Sequence, residues 1–469
     1  MLLERIYDED LAQASYIIGC QQNGEALVVD PRRDLDPYLD VAATNNLTIV
    51  AVAETHVHAD YLSGTRELAA ATGAKIYVSG EGGDEWQYTF DGTRLYDGDT
   101  ITLGNITVQA MHTPGHTPEH LSYLITDGAF ADTPGFVLSG DFVFVGDTGR
   151  PDLLDEAMGA EDTRYAGARQ LFASLRDKLL SLPDYVQILP AHGAGSACGK
   201  ALGAVPVSTV GYERMYSWWA SYLADNDEQG FIDELLDGQP DAHAYFSRMK
   251  RQNVQGPAIV GARAELKELS GEQIADQVSR NEVTFVDTRS VDEVHRGTVT
   301  HSVNLPDPGK AASFGAWAID PETDERNVIV LADDHTRAEQ IRDHLLRVGI
   351  DNVTGYVTSL DGLPITTPPL VQPEELNDFG AAMLLDVRNK TEHADGHIPD
   401  SHQLSAGRAL WHQKELPAEG AIVSYCQTGA RNSVAASALR RAGHHVVELD
   451  GSYAAWSDWN NRKRETVAS

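Results

Sequence analysis

Cysteine is scarce. Cys20, Cys198 and Cys426 are the three in 469 residues. So few cannot build a disulfide framework in a chain this long, and each is better read as a potential thiol. Basic side chains are also few, with 36 Lys and Arg against 70 Asp and Glu, a formal net charge of -34. That imbalance argues against non-specific binding to nucleic acid or anionic membrane and reads as a solvated acidic surface. No apolar run approaches the roughly 18 residues a membrane-spanning helix needs. The first ten residues turn acidic at Glu4 and lack the apolar stretch of a secretory leader. A cytoplasmic protein without nucleic-acid or membrane partners is therefore expected, its oligomeric state open and a homo-oligomer admitted.

What is present suits a multidomain globular chain. Hydrophobic residues make up 42% of the sequence, and the length exceeds what one core supports, so two to four domains are expected. Up to about residue 250, short β-rich runs alternate with turns and a few helical patterns. Leu47–Ala53 reads as a strand buried on both faces, as do Phe136–Leu138 and Tyr185–Leu189. Residues 101–111 suggest a hairpin turning at Gly104-Asn105, and residues 162–181 have helical spacing that ends before Pro183.

The second half repeats itself. Val286-Asp287-Thr288-Arg289 is matched 99 residues later by Leu385-Asp386-Val387-Arg388, and Glu293/Glu392 and Gly297/Gly396 keep that offset. Val328–Leu331 parallels Ile422–Tyr425 at an offset of 94, each followed by a helical pattern, Arg337–Val348 and Asn432–Ala442. Two α/β units of about 100 residues are implied, with Leu363–Pro369 reading as the linker.

Four segments place His and Asp just after β-runs: Thr55-His56-Val57-His58-Ala59-Asp60, Thr113-Pro114-Gly115-His116-Thr117, Ser139-Gly140-Asp141 and Pro190-Ala191-His192-Gly193. Loops leaving strand ends are where a layered α/β scaffold gathers functional groups. Imidazole with carboxylate suits a borderline transition metal. Any one such histidine is more often a surface or hydrogen-bonded residue. Four segments in this order and spacing point to a metal site instead. His112 and His120 flank His116 and read as ordinary loop residues. Cys20 reads as core, and Cys198, six residues past His192, as either a small buried residue or a thiol beside the metal.

The other chemical segment is Tyr425-Cys426-Gln427-Thr428-Gly429-Ala430-Arg431, joining a buried strand to a helix. A cysteine so placed has loop N–H groups and a helix N-terminus directed at its sulfur, which lowers a thiol pKa and stabilises an anionic persulfide or phosphate. Gly429 allows the turn, and Arg431 adds positive charge.

The four His/Asp segments resemble the metallo-β-lactamase superfamily over about the first 240 residues. Gly146–Asp152 and Pro190–Ser196 look like its persulfide dioxygenase branch, with thioester hydrolases of the glyoxalase II type as close relatives. The superfamily writes its first motif H-x-H-x-D-H, and Tyr61 stands at the last position. A neutral phenol replaces imidazole poorly, so a single metal is expected. The resemblance implies iron(II) held by His56, His116 and Asp141. In such a two-histidine, one-carboxylate set, positions stay open for substrate and dioxygen. His58, Asp60, His192, Cys198 and Arg150 are then orienting or substrate-contacting groups, with His58 as a direct ligand the rival assignment. Residues 370–469 resemble a rhodanese sulfurtransferase domain through Asp386-Val387-Arg388, Gly396-His397-Ile398-Pro399 and Leu449–Trp456, with Cys426 as sulfur-carrying nucleophile and Arg431 beside it. A phosphatase loop is the runner-up, but it is typically C-x5-R rather than the C-x4-R found here. The first copy puts Ala332 at the cysteine position, so it reads as a silent rhodanese-like domain.

The expected architecture is α/β: an αββα metallo-β-lactamase sandwich over residues 1–255, then two three-layer rhodanese-like domains over 264–362 and 370–469. The implied activity is oxidation of a low-molecular-weight thiol persulfide by dioxygen to sulfite or thiosulfate, coupled to sulfur transfer. The alternative is a metal-dependent thioester hydrolase with a fused sulfurtransferase.

Overall fold

The computed structural model describes residues 1–153, 155, 163–200 and 202–468. The chain folds as two compact units, Met1–Ala242 with Phe246–Ala262, and His243–Tyr245 with Arg263–Ser469.

Two six-stranded sheets form the first unit. One runs Leu2–Asp8, Gln13–Cys20, Glu25–Val29, Thr48–Ala53, Lys75–Ser79 and Thr93–Leu95, in chain order. The other runs Ser208–Thr209, Gln187–Pro190, Phe136–Gly140, Leu121–Asp127, Ile106–His112 and Thr100–Leu103. Alternation along the strands sends Leu27, Val29 and Ala51 of the first sheet against Ile101, Val108, Ile125 and Leu138 of the second, all buried. The outer face of the first sheet is covered by Tyr38 and Ala42 of helix Asp36–Thr44 and by Leu68 of helix Thr65–Thr72. That of the second is covered by Ala168, Leu171, Phe172 and Leu175 of helix Thr163–Asp177. Helix, sheet, sheet, helix is the layering expected of the αββα sandwich.

The hairpin expected at Gly104-Asn105 is present, with Leu103 opposite Ile106. The helix expected over 162–181 runs Thr163–Asp177, followed by a 3-10 turn at Leu179–Ser181, and residue 162 lies outside the described residues. Burial on both faces fails at two strand starts. Thr48 and Gln187 are exposed as the first residues of their strands, and Tyr185, 58% exposed, precedes its strand.

The second unit carries two five-stranded, parallel sheets, ordered Lys267–Glu268, Val353–Val357, Val328–Leu331, Thr284–Asp287, Val303–Asn304 and Leu370–Val371, Val446–Leu449, Ile422–Tyr425, Met383–Asp386, His402–Gln403. The repeat is therefore one topology built twice. The expected linker is partly structured: Ile365–Thr366 pairs antiparallel with Thr298–Val299 of the first copy. Among the described residues, no helix is long and apolar enough to cross a membrane.

Candidate metal centre and sulfur-transfer loop

His56 follows strand Thr48–Ala53, His116 follows Ile106–His112, Asp141 follows Phe136–Gly140 and His192 follows Gln187–Pro190. All four thus leave strand ends. His56, His116 and Asp141 are buried, and each offers a donor atom within 4.8 Å of the others. Gly140 makes the approach possible. Its φ is +54°, and a Cβ there would lie 2.5 Å from His120 Nε2 and 2.9 Å from Thr55 Cβ. Gly149 is equally constrained, since its Cβ would fall 1.9 Å from the Asp141 carbonyl oxygen.

Hydrogen bonds fix the histidine tautomers. Thr55 spends its hydroxyl proton on Asp30 Oδ2 at 2.8 Å, so at 2.9 Å it accepts from His56 Nδ1–H. His116 Nδ1–H donates to the Arg150 carbonyl at 2.9 Å. Both rings are left with Nε2 lone pairs, aimed at Asp141 Oδ2 from 3.9 Å and 3.4 Å. Burial, with neighbouring histidines, pushes the His56 pKa well below the usual value. Burial outweighs Asp141 and lowers that of His116. Burial raises the Asp141 pKa, but the surrounding histidines, His192 first, outweigh it and hold the carboxyl below its ordinary range. No N–H or O–H among the described residues donates to either Asp141 oxygen. Neutral acceptors facing an unsatisfied buried carboxylate repel one another, and a bound cation is what makes such a cluster stable.

His58 is turned elsewhere. Its Nε2 lies 3.1 Å from Asp30 Oδ1. Burial opposes its charge, but Asp30 prevails and raises its pKa to about 9. It stands outside the His56–His116–Asp141 group, with its ring centroid 4.3 Å from that of His56. Tyr61 also faces away, donating its hydroxyl to the Asp30 carbonyl at 3.1 Å and accepting from Gln13 Nε2 at 3.3 Å. Burial holds its phenol well above the ordinary pKa, hence neutral. Both His120 nitrogens are engaged, Nε2 accepting from Asp141 N–H at 3.0 Å and Nδ1 bonded to Thr113 Oγ1 at 2.9 Å. His112 Nε2 bonds the Pro118 carbonyl. Arg150 is fully buried and bonded bidentately to Asp152 at 2.8 Å and 2.6 Å. It braces the site and presents no free face to a substrate. Cys20 sits in the sheet-to-sheet core, bonded to Asn105 Oδ1 at 3.0 Å. Asp60, His192 and Cys198 form a second buried group on the same loops.

Two contributors escaped the sequence reading. Asp30 caps strand Glu25–Val29 and accepts Thr55 N–H at 2.7 Å; a further strand-end aspartate was the available signal. Asn253 donates Nδ2–H to the His58 and Tyr61 carbonyls, each at 2.8 Å, and accepts Ser63 N–H at 2.9 Å. It clamps the loop from a helix some 190 residues away, and no local pattern marks it.

In the second unit, Cys426 lies buried between strand Ile422–Tyr425 and helix Ala430–Arg441. Gly429, at φ +116°, donates its N–H to Cys426 Sγ at 3.1 Å. The expected charge of Arg431 is already matched, through bonds of 2.6 Å and 2.8 Å to Glu392. Among the described bonds, the Gly429 amide is what donates to the sulfur, with Arg431 nearby but committed to Glu392.

A solved structure titled metallo-beta-lactamase from Staphylococcus aureus is 39% identical, spans 76% of this chain and 99% of its own, and superposes with a TM-score of 0.68. The metallo-beta-lactamase superfamily profile matches residues 8–192. The chain belongs to the metallo-β-lactamase superfamily. Two further relatives share its first unit. A probable metallo-hydrolase of Burkholderia pseudomallei is 31% identical over 224 residues, covering 41% of this chain and 72% of the relative. The mitochondrial persulfide dioxygenase of Homo sapiens is 25% identical over 194 residues, covering 41% and 68%. The rhodanese-like domain profile matches residues 372–458, so this superfamily member carries a rhodanese-like domain behind its metal-binding fold.

Proposed function

We propose that the first unit oxidises a low-molecular-weight thiol persulfide with dioxygen, using one iron(II) at His56, His116 and Asp141, and that Cys426 carries sulfane sulfur for the second. Tyr61 bears the most weight. With its hydroxyl tied to the Asp30 carbonyl, the histidine that completes a second metal in relatives has no equivalent, and a two-histidine, one-carboxylate set remains. Iron, when bound, supplies the electron-transfer chemistry that a persulfide and dioxygen lack between themselves. The chain's part is to present two imidazole Nε2 lone pairs in fixed tautomers, hold Asp141 ionised, and keep the site dry. The reaction balances as persulfide, dioxygen and one water giving thiol and sulfurous acid: the sulfane sulfur gives up four electrons and dioxygen takes four.

The Cys426 thiolate attacks the outer sulfur of a donor; the donor's bond to that sulfur breaks, the donor leaves as its thiolate or sulfite, and Cys426 keeps the sulfur as a persulfide. Sulfite then takes that sulfur, leaving thiosulfate and the Cys426 thiolate. A hydrolase acting on a thioester is the second reading, favoured by the metallo-hydrolase relative and by the second donor group beside Asp141.

The deciding experiment follows dioxygen uptake by anaerobically purified protein given glutathione persulfide. Uptake that depends on iron and yields sulfite or thiosulfate is expected. Absent uptake, with cleavage of S-lactoylglutathione, would replace this reading by the hydrolase.

A further inference from the structure

One flank of the second copy's core is left open. Trp456, Leu384 and Ala381 pack against that core only partly buried, and they line a cavity of about 860 Å³. Small-molecule sites occupy roughly 300–1,000 Å³. Helix Ser452–Ala468 supplies one wall, through Trp456, Trp459, Lys463 and Arg464. Spacings of three and four residues put these side chains on one helix face. Two indoles offer flat apolar surface. Lys463 Nζ lies 4.9 Å from the Trp459 ring centre, so a charge stands beside an indole.

Among the described residues no carboxylate pairs with Lys463 or Arg464, and Asp400 is the one acid on the lining. Two cations against one acid reverse the balance of a chain that has 36 basic side chains and 70 acidic ones. An anion is drawn to such a reversal, whereas a cation is favoured almost anywhere else on this surface.

The cavity does not reach the sulfur. Cys426 is absent from its lining, and Trp459 stands about 9 Å along the helix from Tyr453. Its walls nevertheless hold the Cys426 loop. Tyr453 N–H donates to the Cys426 carbonyl at 3.0 Å, and the Tyr453 ring lies between those of Tyr425 and Trp456, at 6.2 Å and 5.8 Å. Ile398, another wall residue, donates its N–H to Tyr425 Oη at 3.2 Å.

We propose that this cavity binds a small organic anion with a flat ring, and that the occupant modulates sulfur transfer at Cys426. The ring lies against Trp456 and Trp459, and the acid group meets Lys463 and Arg464. A filled cavity steadies the helix whose first turn holds the Cys426 carbonyl. The occupant is an effector and no bond in it forms or breaks. The effect on transfer rests on the reading of Cys426 as the sulfur carrier.

Anilinonaphthalene sulfonate is the probe, titrated into the full chain and followed by its fluorescence. One saturable equivalent is expected. The neutral parent without the sulfonate, and the charge reversal Lys463→Glu, should each weaken that equivalent roughly tenfold or more. Trp459→Ala should weaken it as well, with circular dichroism reporting that both variants are folded. Saturating probe should change the thiosulfate-to-cyanide rate at least about twofold in the unaltered chain and leave it unchanged in Lys463→Glu. Binding indifferent to the sulfonate and to Lys463→Glu overturns the site. A rate effect that persists in Lys463→Glu puts the probe at the sulfur loop and overturns it too, and binding without any rate effect overturns the effector role. A chain inert in transfer before probe is added sinks the Cys426 reading instead, and the binding measurements still decide the site.

Discussion

In the first copy of the repeated unit, Arg289 grips Asp287 at 3.0 Å and 2.6 Å and reaches the Gly297 carbonyl at 2.8 Å. In the second, Arg388 grips Asp386 at 3.0 Å and 2.7 Å and reaches the Gly396 carbonyl at 2.8 Å. Both copies open the next helix with a capping box, Ser290 with Glu293 and Asn389 with Glu392. They part at the loop after the central strand. There the second copy aims the Gly429 amide at the Cys426 sulfur. The first has Ala332, and the Asp334 carboxylate accepts Arg337 N–H at 2.8 Å at the helix N-terminus. An acidic cap already satisfies the amides and dipole that would otherwise stabilise an anion. The first copy therefore differs by more than Ala332, because the Asp334 carboxylate takes an amide at the helix N-terminus where the second copy has no such carboxylate.

The largest effect that could break this contrast is on sulfur transfer. Cys426→Ser is expected to reduce thiosulfate-to-cyanide transfer to background, and adding Ala332→Cys should restore nothing. Transfer by the double variant would show that the Asp334 cap does not block the first loop. Transfer surviving Cys426→Ser alone would place the carrier at another thiol.

Asn304→Ala comes next. Asn304 belongs to the first copy, yet its Oδ1 accepts the Ser433 hydroxyl at 2.5 Å, while its Nδ2 serves the Asp287 and Arg289 carbonyls at 2.8 Å and 3.0 Å. Leaving such buried partners unmade costs about 1–3 kcal/mol, read by urea denaturation. A slower transfer rate should accompany it, because Ser433 lies on the helix that Gly429 caps.

Glu392→Gln is smaller. It frees Arg431 from a partly exposed pair, so the stability change stays under about 1 kcal/mol, while KM for sulfite should fall a few-fold. An unchanged KM would mean that Arg431 does not meet the acceptor.

The smallest effect depends on pH. His295 of the first copy lies 3.4 Å from the buried Glu448 of the second. Burial works against a charged His295, but Glu448 prevails and raises its pKa. Its contribution is thus complete below the ordinary histidine value of about 6.5 and fades as pH rises through the raised one. Burial likewise opposes ionised Glu448, yet His295 and Arg440 lower its pKa. That contribution is present above the ordinary value of about 4.3 and is lost as pH falls through the lowered one. His295→Gln should therefore destabilise most between about pH 4.5 and 6.5 and converge with the unaltered chain in alkaline buffer. A pH-independent difference in unfolding midpoint would discount the ion pair.

Features carried by local pattern were readable in the sequence. The hairpin at Gly104-Asn105, the strand-end histidines and the repeated Asp-x-Arg each need only a few adjacent residues. Tyr61 was legible as a departure, though not the Asp30 carbonyl that holds it. What escaped depends on distant partners: Asn253 reaching back to the His58 loop, Glu392 engaging Arg431, and Ile365–Thr366 pairing with Thr298–Val299 inside an expected linker. Proline and polar content marked that stretch as a connector, and only the facing strand could show that part of it is sheet.

Arg441 ends the helix that begins beside Cys426, and it reaches out of its own copy to Asp324 at 2.8 Å and Thr284 at 2.6 Å. That reach bears on what the first copy does for the second apart from any chemistry of its own. With Arg441, Ser433 and Ser437 of the second copy bonded to Asp324, Thr284 and Asn304 of the first, deleting the first copy opens to water a face built to be covered. The first copy is then held in the chain by what it covers, whatever its own loop can do.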